Sequence, residues 1–423
     1  MASGPLDGIR ILEFTQIIAG PFACQNLSDM GAEVIKVEPP GGEPWRVAQE
    51  FMPTESKWFQ SLNRGKKSLV LTLQDERAQK IVHDLIPGID VVVINYRPDV
   101  PVRLGIDYET LSAIRPDLIY IDNTAFGRQG PWSHRPGYDI VVQAVTGLMA
   151  GEGKVSAGGA PEQMTSSAIS DYATGIAIAW AACAALFHRE RTGEGQLVEA
   201  TLLATALALQ GSFVMELPVS DAAARTPMME NINKLRSEGA SYPDLVAAHD
   251  PFAALRSMNI YYRAFNTKDG ALAIGALSRS LRDKVRAALE LDVPDQEDAD
   301  ITDPEVIARF MAVVPEVEQL LKTKTNEEWM EIFDREGVPA GPVNFAEDMA
   351  NDPQVVENGF VVDLEHDLAG PQRQVAPILK FSKSPLEAQG SSPPLGRDTD
   401  DLVRGAGYSD DQIAELREAG VIA

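Results

Sequence analysis

Cysteine is scarce in this chain of 423 residues, which holds only Cys24 and Cys183. The two lie far apart in the sequence, each among apolar or small residues. This excludes a disulfide framework and predicts two free thiols in a reducing compartment. The first residues, MASGPLDG, also lack the basic stretch and apolar core of a secretory signal. Together these absences predict a cytoplasmic protein.

Basic residues are in short supply. The chain has 37 Lys and Arg against 62 Asp and Glu, a formal net charge of -25 at pH 7. Such a charge repels polyphosphate backbones and anionic membrane surfaces, so we expect neither a nucleic-acid nor a membrane partner. The longest run with little charge, 169–187, contains Asp171 and many alanines. It is typical of a buried helix and not of a membrane span.

Two signatures of bound cofactors are absent. The dinucleotide fingerprint G-x-G-x-x-G does not occur, which disfavours NAD or FAD even though Glu38 ends the second predicted strand. The histidines show no metal-ligand spacing, so we predict no metal and no tightly bound cofactor. They are His83, His134, His188, His249 and His366.

Short apolar runs alternate with helical patterns through the first part of the chain. This alternation predicts an α/β fold with a parallel, doubly wound, Rossmann-like sheet. Polar residues that directly follow the strands are then the natural ligand contacts, because open parallel sheets bind ligands at the carboxyl ends of their strands. The predicted strands are 9–14, 33–37, 68–73, 91–94 and 118–121.

The pattern changes after Leu209, where a hairpin-like pair around Lys268-Asp269-Gly270 and further helices follow. We predict a large domain over 1–211, a smaller central domain over 212–336 and a return to the large domain over 337–423. The turn GVPAGPV, 337–343, is interpreted as the linker back.

Asp171 stands at the head of a long helix of small residues that ends in the turn RTGEGQ. Two interpretations are open from the residues alone. Aspartate is a favoured N-cap, and a helix N-terminus keeps a carboxylate ionised. A carboxylate in this place can equally act as a nucleophile.

Several segments together resemble the family III CoA-transferases, a group related to formyl-CoA transferase, crotonobetainyl-CoA transferases and α-methylacyl-CoA racemases. Their order and spacing carry the resemblance. It implies two chains interlocked as a homodimer, each with the large domain built from both chain ends. The segments are LDGIRILEFTQIIAGP, MGAEVIKVEPPGG, LNRGKKSLVLTL, INYRPDVPVRLG, the Asp171 helix with RTGEGQ, GVPAGPV and PLGRDTD.

The resemblance implies that Asp171 is the covalent nucleophile in CoA transfer from an acyl-CoA to a small carboxylic acid, through mixed-anhydride and aspartyl-CoA thioester intermediates. Racemases of this family place a histidine where PGYDI has Tyr138. A phenol is a poor general base near neutral pH, so racemase or epimerase chemistry is disfavoured. A non-catalytic acyl-CoA-binding protein is the third hypothesis. Asp139 either assists the carboxylate or caps the next helix.

The resemblance also implies a set of CoA contacts, most of which follow predicted strands. We add Arg97 for its charge, and Gly137 and Tyr138 as pocket residues. Lys66 and Lys67 are expected to help Arg97 and Arg103 attract the CoA phosphates in an otherwise acidic chain. Two departures from the family are Pro39-Pro40, where some relatives have an arginine, and the lack of a GGGGQ loop, which gives no support to oxalate or formyl specificity. The implied contacts are Gln16, Ile17, Ala19, Leu71, Gln74, Asn95, Tyr96, Arg103 and Leu104.

Overall fold

The computed structural model describes residues 4–249, 259–295, 297–298, 300 and 303–423. Its main feature is a six-stranded parallel sheet in the order β3-β2-β1-β4-β5-β6. The predicted parallel α/β sheet is therefore confirmed. Its strands are β1 (Arg10–Phe14), β2 (Glu33–Glu38), β3 (Lys67–Val70), β4 (Val91–Ile94), β5 (Ile119–Thr124) and β6 (Gln196–Thr201).

Both faces of this sheet are covered, which explains why its central strand β4, VVVI, is an unbroken apolar run that does not alternate with polar residues. Adjacent residues of one strand enter different cores. Leu12 of β1 packs with Ile81 and Leu85 in one cluster. Ile11, next to it in sequence, packs with Leu27 and Ile178 in another.

Residues 1–218, 241–243 and 353–423 form one compact unit, and 219–240 and 244–352 form a second. The helices of the first unit surround the sheet. They are Ala19–Asp29, Pro44–Val47, Lys57–Gln60, Glu76–Leu85, Asp99–Arg103, Tyr108–Ile114, Asp139–Thr146, Leu148–Gly151, Ile169–Thr192, Leu202–Ala208, Gly211–Val214, Pro353–Glu357, Thr399–Gly405 and Asp410–Glu418, with a 3₁₀ turn at Ile86–Gly88.

The C-terminal segment completes the first unit. Leu402 and Leu416 enter the same core as β1 and β3. The backbone N–H of Ser68 donates to Asp398 at 2.8 Å, and an antiparallel hairpin joins β10 (Val361–His366) to β11 (Gly370–Val375).

The second unit is an antiparallel sheet covered by helices. Strands β7 (Tyr262–Asn266), β8 (Ala271–Gly275) and β9 (Ala340–Pro342) pair in that order. Phe265, Ile274 and Trp329 belong to its core. Its helices are Arg225–Ser237, Arg279–Ala288, Pro304–Leu321 and Asn326–Glu336, with a 3₁₀ helix at Ala346–Asn351; Pro218–Asp221 and Tyr242–Ala248 fall where the chain passes between the units.

Two details differ from the sequence interpretation. Residues 196–201 form the edge strand β6, although the sequence analysis predicted no strand for this segment. The GVPAGPV segment is not only a linker, because its residues Ala340–Pro342 pair with β8. The predicted domain limits stay a prediction, and within the predicted central domain residues 250–258, 296, 299 and 301–302 lie outside the described part of the chain.

The helix Ile169–Thr192, called the Asp171 helix below, is the one helix among the described residues that is long and apolar enough to span a membrane by composition. It packs on the sheet instead, through Ile178, Ala182 and Ala185. A Cβ at Gly175 would lie 2.8 Å from the carbonyl oxygen of Ala19, so glycine is needed where this helix crosses Ala19–Asp29. That close crossing is the contact of a core helix, and it fixes the position of Asp171.

Candidate active site

A cleft of about 470 Å³ opens at the carboxyl edge of the parallel sheet, between the ends of β1 and β4, where the strand order reverses. This is the usual ligand site of a doubly wound sheet. Of the predicted site residues, Asp171 and all of the predicted CoA contacts except Ala19, Lys66 and Lys67 line this cleft. These are Gln16, Ile17, Leu71, Gln74, Asn95, Tyr96, Arg97, Arg103, Leu104, Gly137, Tyr138 and Asp171.

Asp171 lies in the first turn of its helix, and Ala168 holds the N-cap position. The interpretation of Asp171 as the N-cap is therefore wrong. Asp139 supplies the cap from another helix: its Oδ1 accepts hydrogen bonds from the backbone N–H of Ser170 at 2.7 Å and of Asp171 at 3.3 Å. Among the described residues, no group donates a hydrogen bond to the Asp171 carboxylate, which leaves its oxygens available to a substrate.

The electrostatics of Asp171 differ from those expected for a helix N-terminus. Burial, followed by the nearby negative charge of Asp139, raises the pKa of the Asp171 carboxyl to about 7. Asp171 is only 9% exposed to solvent. Desolvation of the charged form thus outweighs the attraction of the helix dipole.

Asp139 is itself buried and held in place. Its Oδ2 accepts from the side-chain amide of Gln143 at 2.5 Å, and Gln143 in turn accepts from the backbone N–H of Met164 at 2.9 Å. The sequence left open whether Asp139 assists the carboxylate or caps the next helix. In the structure Tyr138 holds the N-cap of that helix, whereas Asp139 caps the Asp171 helix and also acts electrostatically on Asp171.

Gly137 and Tyr138 form the part of the cleft wall that precedes Asp139. A Cβ at Gly137 would lie 2.6 Å from the Cβ of Ala125 and 2.9 Å from the ring of Phe126, so only glycine allows this loop to approach the end of β5. Tyr138 starts the helix Asp139–Thr146 and is 60% exposed. It is one of the residues that line the cleft.

Asn95 and Tyr96 follow β4 at the base of the cleft. The Asn95 side chain accepts from the backbone N–H of Gln16 at 3.0 Å and donates to the Gln16 carbonyl at 2.9 Å. Asn95 therefore holds the loop after β1 through both the oxygen and the NH₂ group of its side-chain amide. Burial raises the pKa of Tyr96 to about 12, so its phenol stays protonated.

Of the four basic residues that were predicted to attract the CoA phosphates, the structure brings only two into the cleft. Arg97 and Arg103 line the cleft. Lys66 does not, because its ammonium is fully buried, 2.8 Å from Glu13. Lys67 begins β3 at the opposite, amino edge of the sheet and pairs with Glu33 at 2.7 Å. Charge counting from sequence could not separate lysines buried in ion pairs from those facing a ligand.

Ala19 also differs from the prediction. It is the first residue of its helix, is 2% exposed and packs with Val142 and Leu202. It supports the cleft wall from behind and does not line it.

Arg135 lines the cleft and was missed by the sequence reasoning. Its guanidinium lies 4.4 Å from the centre of the Trp132 ring, which meets Phe126 edge to face at 5.2 Å. Among the described residues no carboxylate lies within ion-pair distance of it. The feature of the sequence that could have identified Arg135 is its position directly before the motif PGYDI, two residues before Gly137.

A family model described as CoA-transferase family III matches residues 6–399. The chain belongs to CoA-transferase family III. This confirms the family and the enzyme class that the sequence motifs predicted. Within the described residues no group of three His, Cys, Asp or Glu could hold a metal ion.

Named relatives of this family III member cover nearly its whole length. It is 32% identical over 421 residues to "Succinyl-CoA:glutarate CoA-transferase" of Homo sapiens, covering 99% of this chain and 90% of that protein. It is 30% identical over 427 residues to "Formyl-CoA:oxalate CoA-transferase" of Rhodopseudomonas palustris, covering 99% and 97%.

Solved structures agree with the fold of this family III chain. A protein from Mycobacterium tuberculosis superposes with a TM-score of 0.74 and 28% identity, over 95% of this chain and 99% of the other. A CaiB/BaiF family protein from Brucella suis superposes with a TM-score of 0.73 and 25% identity, over 96% of this chain and 100% of the other.

Proposed function

We propose that this family III enzyme transfers CoA from an acyl-CoA donor to a carboxylic acid, with Asp171 as the covalent nucleophile. The observation that carries the proposal is the Asp171 carboxylate itself: it lines the cleft, is nearly buried, and accepts no hydrogen bond from the described residues. A poorly solvated carboxylate is a better nucleophile than one held by donors, once it has lost its proton.

In the first half of the reaction, CoA is transferred from the acyl group of the donor to the carboxyl group of Asp171. A carboxylate oxygen of Asp171 attacks the thioester carbonyl carbon of the donor, the C–S bond breaks, and CoA thiolate leaves a mixed anhydride. The thiolate then attacks Cγ of Asp171. The Cγ–O bond breaks, the donor acid departs as its carboxylate, and an aspartyl-CoA thioester remains.

The second half reverses these steps with the acceptor. The acceptor carboxylate attacks Cγ of the thioester and releases CoA thiolate, which forms a second mixed anhydride. The thiolate attacks the acyl carbon of the acceptor, so acyl-CoA leaves and the Asp171 carboxylate is regenerated. The complete series of reaction steps neither consumes nor releases a net proton. It needs no ATP, because the free energy of the thioester is kept in the anhydride and thioester bonds.

CoA and acyl-CoA are substrates in this scheme, with no tightly bound cofactor. The residues that follow β1, β3 and β4 line the cleft together with the loop that holds Tyr138. Arg97 and Arg103 are the cations proposed to attract the CoA phosphates. The names of the relatives, succinyl-CoA:glutarate and formyl-CoA:oxalate CoA-transferase, favour a dicarboxylic acid as donor acyl group or acceptor.

Racemase chemistry is less well supported. It needs a second acid or base facing the α-carbon, and the residue in that place is Tyr138. Incubation with an α-methylacyl-CoA in heavy water, without an acceptor acid, distinguishes the two reactions. Deuterium at the α-carbon would indicate a racemase, and its absence is expected here.

We also propose the homodimer, and a cytoplasmic location suited to two free cysteines. The Asp171 helix exposes Ile176 at 52%, Trp180 at 73% and Phe187 at 64%. Their spacing places them along one side of the helix, and a second copy of the chain is the proposed cover for this apolar face. Sedimentation of Trp180→Glu should show weakened association. An unchanged dimer would remove this face from the interface.

The proposed function is tested by an exchange assay. The enzyme is incubated with succinyl-CoA and a panel of mono- and dicarboxylic acids, and new acyl-CoA products are identified by chromatography. Asp171→Asn, which keeps the side-chain volume, should lose transfer by at least about 10³-fold, since it removes the group that forms the intermediates. Full exchange by this variant would refute the assignment.

A further inference from the structure

The loop that follows β1 contains a strained residue in the cleft wall. Ile17 has φ of 72°, in the left-handed region that β-branched residues rarely adopt. Such strain persists only where surrounding groups hold it, and it is concentrated at functional sites.

A buried carboxylate holds the strained residue directly. Glu43 Oε2 accepts the hydrogen bond of the Ile17 backbone N–H at 2.7 Å. Its other oxygen, Oε1, lies 3.1 Å from the ammonium of Lys36. Glu43 is only 3% exposed, and it is not among the residues that line the cleft.

Lys36 holds the same loop from its other end. Its fully buried ammonium donates to the carbonyl of Thr15 at 2.8 Å and to Glu13 at 3.0 Å. The Glu43–Lys36 pair therefore contacts two backbone groups only two residues apart, on either side of Gln16. A buried ion pair is weak evidence for added stability, because desolvation offsets its attraction. Its directed contacts do impose one loop conformation.

We propose that Glu43 is a positioning residue for acyl-CoA: it fixes the strained backbone at Ile17, so that the loop after β1 forms the cleft wall before the ligand arrives. The ligand class in this statement rests on the proposed function. Glu43 acts through Ile17 and Lys36, and its loss should weaken binding while leaving the chemistry at Asp171 nearly intact.

Glu43→Gln is the informative substitution. A glutamine has one acceptor oxygen, so its amide NH₂ must face either the Ile17 N–H or the Lys36 ammonium, both of which are donors. The Kd for CoA and the KM for acyl-CoA should rise roughly tenfold, the range that release of such strain implies, with kcat within about twofold of wild type.

Glu55→Gln is the matched control. Glu55 is fully buried and lies 3.4 Å from Arg46, in a neighbouring ion pair that does not contact the loop after β1. This control should lower the melting temperature without raising Kd or KM. If Glu43→Gln does not fold, Glu43→Asp keeps the charge beside Lys36, but its shorter side chain cannot meet both partners. It should raise Kd in the same direction.

A double-mutant cycle separates positioning from general destabilisation. Glycine adopts φ near 72° without strain, so Ile17→Gly should make Glu43 largely unnecessary. In the Ile17→Gly background, Glu43→Gln should raise Kd by no more than about threefold, against roughly tenfold in the wild-type background. An equal increase in both backgrounds would overturn the positioning role.

Calorimetry with CoA itself keeps the two proposals distinguishable. If the wild-type enzyme binds CoA and folded Glu43→Gln binds it equally well, the positioning role is wrong and the proposed function stands. A wild-type enzyme that binds no CoA would overturn the proposed function and this inference with it.

Discussion

Asp139 caps the helix that carries Asp171 and also places a second carboxylate beside it. One Asp139 oxygen accepts the backbone N–H groups of Ser170 and Asp171, at 2.7 and 3.3 Å. The cap orients the first turn of the helix, and the charge raises the pKa of Asp171 further than burial alone. One residue thus both positions the proposed nucleophile and opposes its ionisation.

The pH dependence of transfer should report this pair. The nucleophilic form of Asp171 is the ionised one, and burial with Asp139 raises its pKa to about 7. We therefore expect kcat/KM for acyl-CoA to rise with pH, with a midpoint near 7. In Asp139→Asn, which keeps an acceptor oxygen but removes the charge, the midpoint should fall toward the ordinary aspartate range.

Asp107→Asn is the control for loss of a cap without change at the site. Asp107 caps the helix Tyr108–Ile114 by accepting the N–H of Thr110 at 3.0 Å, and it does not line the cleft. Its variant should keep the wild-type midpoint. If Asp139→Asn also keeps that midpoint, Asp139 has no electrostatic effect on the reaction.

The stability of the protein should depend on Asp171 in a direction opposite to that of a typical surface carboxylate. Its pKa is raised from 3.8 to about 7 on folding. Between these values the folded state holds a proton that the unfolded state has lost, so the free energy of unfolding falls as pH rises. Asparagine has no carboxyl group to ionise, so Asp171→Asn does not lose stability in this way as pH rises. This variant should therefore be more stable than wild type at pH 8, by up to a few kcal/mol.

Thermal unfolding at several pH values measures this effect. The stabilisation of Asp171→Asn should disappear below about pH 4, where both states of the wild-type carboxyl are protonated. Asp107→Asn is a control in which the change in stability at pH 8 should have the opposite sign. Burial opposes ionisation there, but hydrogen bonds from Thr110 lower its pKa overall, so Asp107→Asn should destabilise the protein at pH 8. An Asp171→Asn variant that is less stable than wild type at pH 8 would contradict the account.

Arg135 should select dicarboxylic acids. Its guanidinium lines the cleft beside Trp132 and has no carboxylate partner among the described residues. An arginine so placed can bind the second carboxylate of a substrate such as succinate or glutarate. Arg135→Gln should raise KM for these acids about tenfold, with a change below about twofold for a monocarboxylate of similar length.

Arg97→Gln serves as the comparison, because Arg97 also lines the cleft but already lies 3.3 Å from Asp99. As a proposed CoA contact, it should affect KM for acyl-CoA with every acceptor alike. Equal losses for mono- and dicarboxylates in Arg135→Gln would remove Arg135 from acceptor recognition.

The sequence predicted the central strands well because they are buried on both faces. The four residues of β4, Val91–Ile94, are all fully buried and form an unbroken apolar run. The edge strand β6 has only half-buried and exposed residues. Its sequence QLVEAT carries no comparable run, and only pairing with β5 makes it a strand.

The chemistry-bearing positions were predictable to the extent that they follow strand ends or lie in recognised motifs. The cleft residues after β1, β3 and β4 are of this kind. The partner of each charge was not predictable, because it depends on contacts between distant segments. Lys66 faces the buried Glu13 and not a ligand, and Asp139 meets a helix that begins thirty residues later in the chain.

Mass spectrometry of the intact enzyme after treatment with acyl-CoA tests the central claim most directly. The wild-type protein should gain a covalent CoA adduct that hydroxylamine removes, and peptide mapping should place it on Asp171, because the aspartyl-CoA thioester accumulates when no acceptor is present. Asp171→Asn should carry no adduct. An adduct on another residue, or one that persists in Asp171→Asn, would contradict the assignment of Asp171 as the nucleophile.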